Sequence, residues 1–454
     1  MTPRARSLGF PRSWLLLAGL AAGPLAGTLS AASASVSFTK DIAPILAKKC
    51  VTCHGPEKAK GNYQLHNFEM LLKSGASKAA AVIPGQPAKS ELFRLLVTQD
   101  ADDRMPQKDD PLPKAQIALV EKWIQQGAKF DGPDAKAHLA AVIPRVPYPN
   151  PPASYPQPVP VAALVFSPDG KQLAASGYHE ITLWDPATGK LNRRIKGLPQ
   201  RILALAWHPQ GQWLAVAGGS PGQSGEVALV DVAKGEVAQV LGTTIDTVMA
   251  LAFDAAGTRL ATGGADNAIR IFALPEGKEQ RLIQQHADWV LSLAFSPDGK
   301  HLASGSRDRT ARLFNAETGE LEASYMGHDA PVFSVAVTED GQTIYSAGRD
   351  RKVHFWAAKG GKKTGEIAGA EGDLFRVLLA GNQVFSGGAD KTVRQHKLED
   401  RSLVRSLTGH ADRVYALAAH APGKWLASGA HNGEVRVWNW EDGKPVSSFI
   451  AAPK

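Results

Sequence analysis

Residues 290–306 read VLSLAFSPDGKHLASGS, in which Leu291, Leu293 and Phe295 alternate with smaller or polar residues before an S-P-D-G turn and a second apolar run. Alternation with a period of two is the pattern of a half-buried β-strand, and a D-G pair closes a hairpin. The phrase recurs as VAALVFSPDGKQLAASG (161–177), ILALAWHPQGQWLAVAG (202–218), VMALAFDAAGTRLATGG (248–264), VFSVAVTEDGQTIYSAG (332–348), LFRVLLAGNQVFSGG (374–388) and VYALAAHAPGKWLASGA (414–430). The turn glycines of the seven copies, Gly170, Gly211, Gly257, Gly299, Gly341, Gly381 and Gly423, fall about 40 to 45 residues apart, enough for four strands per unit. Most units continue with a third strand (EITLWD, AIRIFA, TARLFN, KVHFWA, EVRVWN) and a fourth with a polar edge. One four-stranded unit cannot bury both of its faces. Seven stacked radially hide the faces and leave only short edges, which predicts a seven-bladed all-β propeller.

From residue 161 to 451 the chain resembles the WD-repeat family, whose hallmark is a hydrogen-bonded tetrad of His, Ser or Thr, Asp and Trp. His328, Ser346, Asp350 and Trp356 match it fully, and His410, Ser428, Asn432 and Trp438 nearly. Phe272, Phe314 and His396 stand where the family has Trp, the first two repeats lack the tetrad, and the second has an insertion around Ser220 to Gly225. The resemblance implies a protein-docking surface and gives His286, His328 and His410 structural rather than ligating roles. The last repeat carries its own fourth strand, KPVSSFI, so the ring is expected to close without exchanging an N-terminal strand.

Ahead of the repeats, proline recurs every few residues in AHLAAVIPRVPYPNPPASYPQPVPV, and residues 132–160 read as a semi-rigid extended linker. Residues 35–131 read as a small all-α domain. In FTKDIAPILAKKC, Asp41 or Thr39 is the expected N-cap, Pro44 suits the first turn, and Ile42, Ile45 and Leu46 share a helical face. A second helix, Lys114 to Gln126, places Ile117, Val120, Trp123 and Ile124 on one side and stops at Gly127.

The chain is 44% hydrophobic and 21% charged, a globular profile, and its formal charge of +8 is too scattered to argue for nucleic acid. Three of the arginines, Arg4, Arg6 and Arg12, precede an apolar run and small residues ending Ala32-Ser33-Ala34, so residues 1–34 read as a secretory signal peptide. Gly23, Pro24 and Gly27 interrupt that run short of the ~20 residues a spanning helix needs. The expectation is an exported, periplasmic protein with no transmembrane segment after the leader is removed.

Such a protein could use disulfides freely, yet its two cysteines both lie in Cys50-Val51-Thr52-Cys53-His54. C-x-x-C-H is the spacing for covalent haem attachment: two thiols about one helical turn apart reach the two vinyl groups, and His54 falls under the iron as proximal ligand. A zinc site would need two more ligands, and a thioredoxin-type dithiol expects a βαβ setting instead of helical flanks. Both readings stay open beside the haem.

The phrases DIAPILAKKCVTCHGPEKAKGNYQLHN, VIPGQPAKSELFRLL, DDRMP and IALVEKWIQQGAKF resemble the planctomycete-type cytochrome c domain over residues 37 to 150. That resemblance implies Met105, in the R-M-P phrase, as the distal iron ligand. Thioether ligation raises the potential of an electron-transfer haem, and Pro106 favours an extended residue before it. Met70, His66 or an open site are the alternatives, with Met70 expected in the core beside Phe68, Leu71 and Leu72. Lys48, Lys49, Lys58 and Lys60 bracket the haem motif and either steer an acidic redox partner or form a solvated surface, and Asp100, Asp102, Asp103, Asp109 and Asp110 flank Met105.

The function expected is therefore electron transfer through a single covalent haem c, with a redox partner protein and a propeller that docks a protein ligand. The competing reading is a haem-dependent oxidoreductase or a redox or gas sensor.

Overall fold

The computed structural model of the protein describes residues 35–452 except 56–58, 108–109, 145–147 and 245. The expected signal peptide, Lys58 and Asp109 lie outside the described residues.

The N-terminal part is helical. A wide π turn, Phe38–Ile42, runs into α1 (Ala43–Lys49), followed by α2 (Val51–His54), α3 (Phe68–Leu71), α4 (Glu91–Val97), α5 (Lys114–Gln125) and α6 (Leu139–Val142). The first cap differs from expectation. Ser37 is the N-cap, its hydroxyl accepting from the amide of Lys40, while the Asp41 carboxylate reaches back to the Ser37 amide at 2.8 Å. Thr39 is instead buried, its amide donating to Asp131. Asp41, one residue beyond the usual capping-box position, plays that box's reciprocal part. Pro44 opens α1 as expected.

Phe38, Ile42 and Leu46 meet Val120, Trp123 and Ile124 of α5 in one apolar core, with the Phe38 and Trp123 ring centroids 5.4 Å apart. Gly127, at φ +98°, ends α5. The core also takes in Leu139 and Val142 of α6, so the helical domain continues into the proline-containing stretch read as linker.

Beyond residue 160 the chain forms one seven-stranded and five four-stranded antiparallel sheets, as expected of a WD-type propeller. Their inner strands are Leu164–Phe166, Lys190–Trp207, Val248–Phe253, Val290–Phe295, Val332–Val337, Leu374–Ala380 and Val414–His420. Each touches the next, and the last touches the first. The seven-stranded sheet arises because Lys190–Trp207 runs unbroken, pairing with Tyr178–Asp185 through its first half and with Trp213–Ser220 through its second.

The S-P-D-G turns and the related T-E-D-G turn at 338–341 repeat their chemistry. Ser167 with Asp169, Ser296 with Asp298 and Thr338 with Asp340 each form a 2.6 Å hydroxyl-to-carboxylate bond, which together with a backbone amide holds the aspartate below the usual carboxylate range. The ring closes as expected, since Pro445–Ile450 pairs with Glu434–Asn439 in the last sheet. The seam is sealed by Val161, whose amide bonds the carbonyl of Ala430 at 3.1 Å. It is tight because a Cβ on Gly429 would come within 2.5 Å of the Val161 side chain.

The end of the linker is docked. Glu180, fully buried, takes a two-pronged pair from Arg194 at 2.6 and 2.7 Å and a 2.6 Å bond from the Tyr155 hydroxyl, while Arg194 also donates to the carbonyls of Pro152 and Ala153. Among the described residues no helix is long and apolar enough to cross a membrane.

Candidate functional site

The helix leading to the cysteines does not run straight through them. Cys50 leaves helical geometry at φ −123° and ψ −39°, so α2 is a separate turn in which the amides of Cys53 and His54 bond back to the Cys50 carbonyl at 3.1 and 3.0 Å. Both cysteines are free and half-buried, and Cys50 packs against the apolar core. Burial, with a smaller push from Cys53 and against Lys49, drives the Cys50 thiol up to about 12. A dithiol catalyst needs the opposite, a thiol lowered toward neutrality.

His54 is oriented by the backbone. Its Nδ1 lies 3.1 Å from the carbonyl oxygen of Tyr63, and the Leu65 amide donates to the His54 carbonyl at 2.9 Å. With Nδ1–H donating, Nε2 keeps its lone pair for a metal, the arrangement of most metal-bound histidines. The donor set fits haem c: two thiols on one helical turn beside an apolar core, and an imidazole with its ligating nitrogen specified. It fits zinc poorly. Among the described residues, the three-member set of ligand atoms that converges is His328, Asp350 and His354, far along the chain from the cysteines.

Met105 sits half-buried in the loop after α4, anchored by its amide to the carbonyl of Leu95 at 2.9 Å, and its peptide bond to Pro106 is cis. It is not part of the apolar core cluster that receives Cys50. Met70 is not in the core either: it is half-buried, its sulfur 3.3 Å from the Lys73 ammonium, because its neighbours Phe68 and Leu71 take the inward face of α3. His66 is half-buried with no hydrogen-bond partner on Nδ1, and burial lowers its pKa. Lys48 and Lys60 are exposed, as are Asp100, Asp102, Asp103 and Asp110, with Asp103 paired to Arg94.

In the sheets, His328 bonds Asp350 at 2.5 Å and Ser346 at 2.8 Å, and the Trp356 indole donates to Ser346 at 3.3 Å, completing the expected tetrad. His286 bonds Asp308 and Ser304, with Phe314 in the tryptophan's place. In the last unit the expected Asn432 is replaced by Glu434, which accepts from His410 at 3.0 Å, while Asn432 caps the Glu434 amide. All three histidines have both nitrogens engaged, which suits structure better than ligation. A neighbour escaped the sequence reading: buried His354 stacks on His328 at 4.1 Å, its Nδ1 bonded to the Tyr325 hydroxyl. Near-parallel stacking at 20° keeps the two rings from sharing an in-plane metal.

Residues 50–109 match the family described as Planctomycete cytochrome C, and residues 236–272, 277–315, 319–357 and 401–439 match the WD domain, G-beta repeat. The chain joins a planctomycete-type cytochrome C domain to WD40 repeats. This cytochrome–WD40 protein is similar, over short stretches, to Cell division control protein 4 of Candida albicans, at 40% identity over 65 residues covering 14% of this chain and 10% of that one. Pleiotropic regulator 1 of Mus musculus is 34% identical over 68 residues, 15% of this chain and 13% of its own. Cell division cycle 20.1, cofactor of APC complex, of Arabidopsis thaliana is 30% identical over 121 residues, 25% and 24% respectively. The chain thus spans a quarter or less of the length of each relative. The repeats outside these matches are the first two and the one in which His396 replaces Trp.

Proposed function

We propose that this protein is an exported electron carrier. One haem c is held covalently by Cys50 and Cys53, with iron ligated by His54 and Met105, and a seven-bladed propeller serves as a docking scaffold for a protein partner. The observation that carries the reading is the bond from His54 Nδ1 to the Tyr63 carbonyl, which reserves Nε2 for a metal beside two free thiols. When bound, the haem supplies a one-electron couple. The chain's own residues do the rest: His54 and Met105 would ligate the iron and leave no place on it for a substrate, the apolar core around Leu46 and Leu65 excludes water beside the cysteine turn, and exposed Lys48 and Lys60 present positive charge to an acidic redox partner. The seven touching inner strands support the propeller, and the apolar leader supports export to the periplasm.

The test is expression with the bacterial haem-attachment machinery, followed by haem staining on a denaturing gel. Stain is expected on the wild type and absent from C50A/C53A. An unstained wild type, or stain surviving both substitutions, overturns the assignment.

A further inference from the structure

Each of six inner strands carries a β-bulge at one residue, and the six bulged residues are Leu203, Met249, Leu291, Phe333, Phe375 and Tyr415. A bulge turns its side chain out of the sheet's alternation. Here all six point into the central channel, where with Ala162 and Arg376 they line a cavity of about 280 Å³ open to solvent. Three of them are aromatic and form a continuous arc, with centroids 5.6 Å apart from Phe333 to Phe375 and 4.9 Å from Phe375 to Tyr415.

Arg376 breaks the pattern of this ring. The residue that resumes pairing after the bulge is Ala204, Ala250, Ser292, Ser334 and Ala416 in the other strands. Ser292 and Ser334 use that position to accept from the inner strand of the next sheet, at Val335 and Val377. Arg376 instead extends into the channel, donating to the carbonyls of Phe375 at 3.1 Å and Ala162 at 3.4 Å. Among the described residues no carboxylate pairs with it, and burial lowers its pKa. A guanidinium offers five N–H donors, and two bonds to neutral carbonyls leave both donors and charge unmet.

We propose that the channel mouth binds a carboxylate carried on a small apolar body, the carboxylate forking onto Arg376 and the apolar part packing on the Phe333, Phe375 and Tyr415 arc. Two parallel N–H···O bonds are the geometry a guanidinium offers a carboxylate, and the cavity volume limits the buried part to a group of about one or two residues' size. The chemistry is shared by a free organic acid and by the C-terminal residue of a peptide. It is independent of the haem assignment.

The experiment is calorimetric titration of the full chain with benzoate and with acetyl-Gly-Phe acid, each beside its neutral amide. The proposal expects at least one acid to bind and its amide to bind at least tenfold more weakly; benzoate binding assigns a free acid, binding of the peptide acid alone a chain terminus. R376A should abolish the preference. Because Ala or Ser occupies the equivalent position elsewhere, R376A should fold, with a melting transition as cooperative as the wild type's. Acid and amide binding equally, neither acid binding, or a folded R376A that keeps the preference would overturn the proposal.

Discussion

The Nδ1 of His54 lies 3.1 Å from the carbonyl oxygen of Tyr63, and Tyr63 is itself fastened by a 2.8 Å bond from its hydroxyl to the carbonyl of Leu71. The chain of bonds runs from the cysteine turn to α3, so the imidazole is oriented by protein groups alone. A preset ligand saves the entropy of fixing a ring when the cofactor arrives and specifies which nitrogen it meets.

Tyr63→Phe removes the Leu71 bond and leaves the carbonyl that orients His54 in place. It should lower stability by about 1 kcal/mol in urea melts while haem staining persists. Loss of staining in a variant that still folds would show that the phenol does more than anchor the loop.

In the last repeat the partner of His410 is Glu434 and not Asn432. Glu434 also takes the guanidinium of Arg436 at 2.7 Å, so its removal leaves two neighbours without their partner. Glu434→Ala should cost on the order of 2–3 kcal/mol, and Asn432→Ala, which loses one partly exposed cap bond, about 1 kcal/mol or less. Chemical denaturation of the two variants side by side decides; the reverse ranking would restore Asn432 as the tetrad member.

His354 gives the sheets a pH dependence of known sign. Burial lowers its pKa to about 4, helped by His328 and Lys363 and opposed by the carboxylates of Asp350 and Glu366, while the Tyr325 hydroxyl faces its other nitrogen. Unfolded, the ring titrates near 6.5. Its folded pKa is the lower, so the unfolded chain binds the extra proton between those values. The contribution is complete above about pH 6.5 and is lost as pH falls toward 4. Melting temperature should fall across that window, and His354→Gln should flatten the fall. An unchanged slope in the variant would assign the acid sensitivity to other groups.

The repeats were legible because each sets a glycine-containing turn between two apolar runs, and where the turn reads S-P-D-G it carries the hydroxyl, the carboxylate and the positive-φ glycine that the hairpin uses at Ser296, Asp298 and Gly299. The C-x-x-C-H motif can be read directly because its residues are adjacent in sequence. What orients them cannot, since the Tyr63 carbonyl is backbone and has no sequence signature. Glu434 was missed because a side chain two positions along can reach His410 as well as the family's usual residue can. Ser37 was missed as a cap because Thr39 and Asp41 have the same chemistry, and only packing shows that Thr39 turns inward. Arg376 belongs to neither pattern, and only the closed ring of strands shows where its guanidinium goes.

The linker's final stretch should stabilise the sheets it leads into. A truncation beginning at Asn150 keeps Pro152, Ala153 and Tyr155 on Arg194 and Glu180, whereas one beginning at Val159 loses all three contacts. Both keep Val159 and Val161, which are buried in the seam. The shorter chain should be less stable by about 2 kcal/mol, since hydrogen bonds to charged groups contribute roughly 1.5–3 kcal/mol each and water replaces part of them. Equal melting temperatures would mean that the strap adds nothing beyond its Glu180–Arg194 pair.

Met105 separates the electron carrier from the sensor or oxidoreductase reading. If its thioether fills the sixth position, the reduced protein binds CO poorly; Met105→Ala should admit CO and lower the potential, because a thioether ligand raises it. Met70→Ala is the matched control, since that thioether is half-buried and contacts Lys73. Being only half-buried, it should cost at most about 1–2 kcal/mol, below the 2–5 kcal/mol of a core methionine, and leave the spectrum unchanged. His66→Ala completes the set, because its Nδ1 has no other partner. CO binding that appears only in the His66 variant would move the distal ligand from Met105 to His66 and keep the carrier. A wild type that already binds CO readily would leave the iron open, and the sensor or oxidoreductase would replace the carrier.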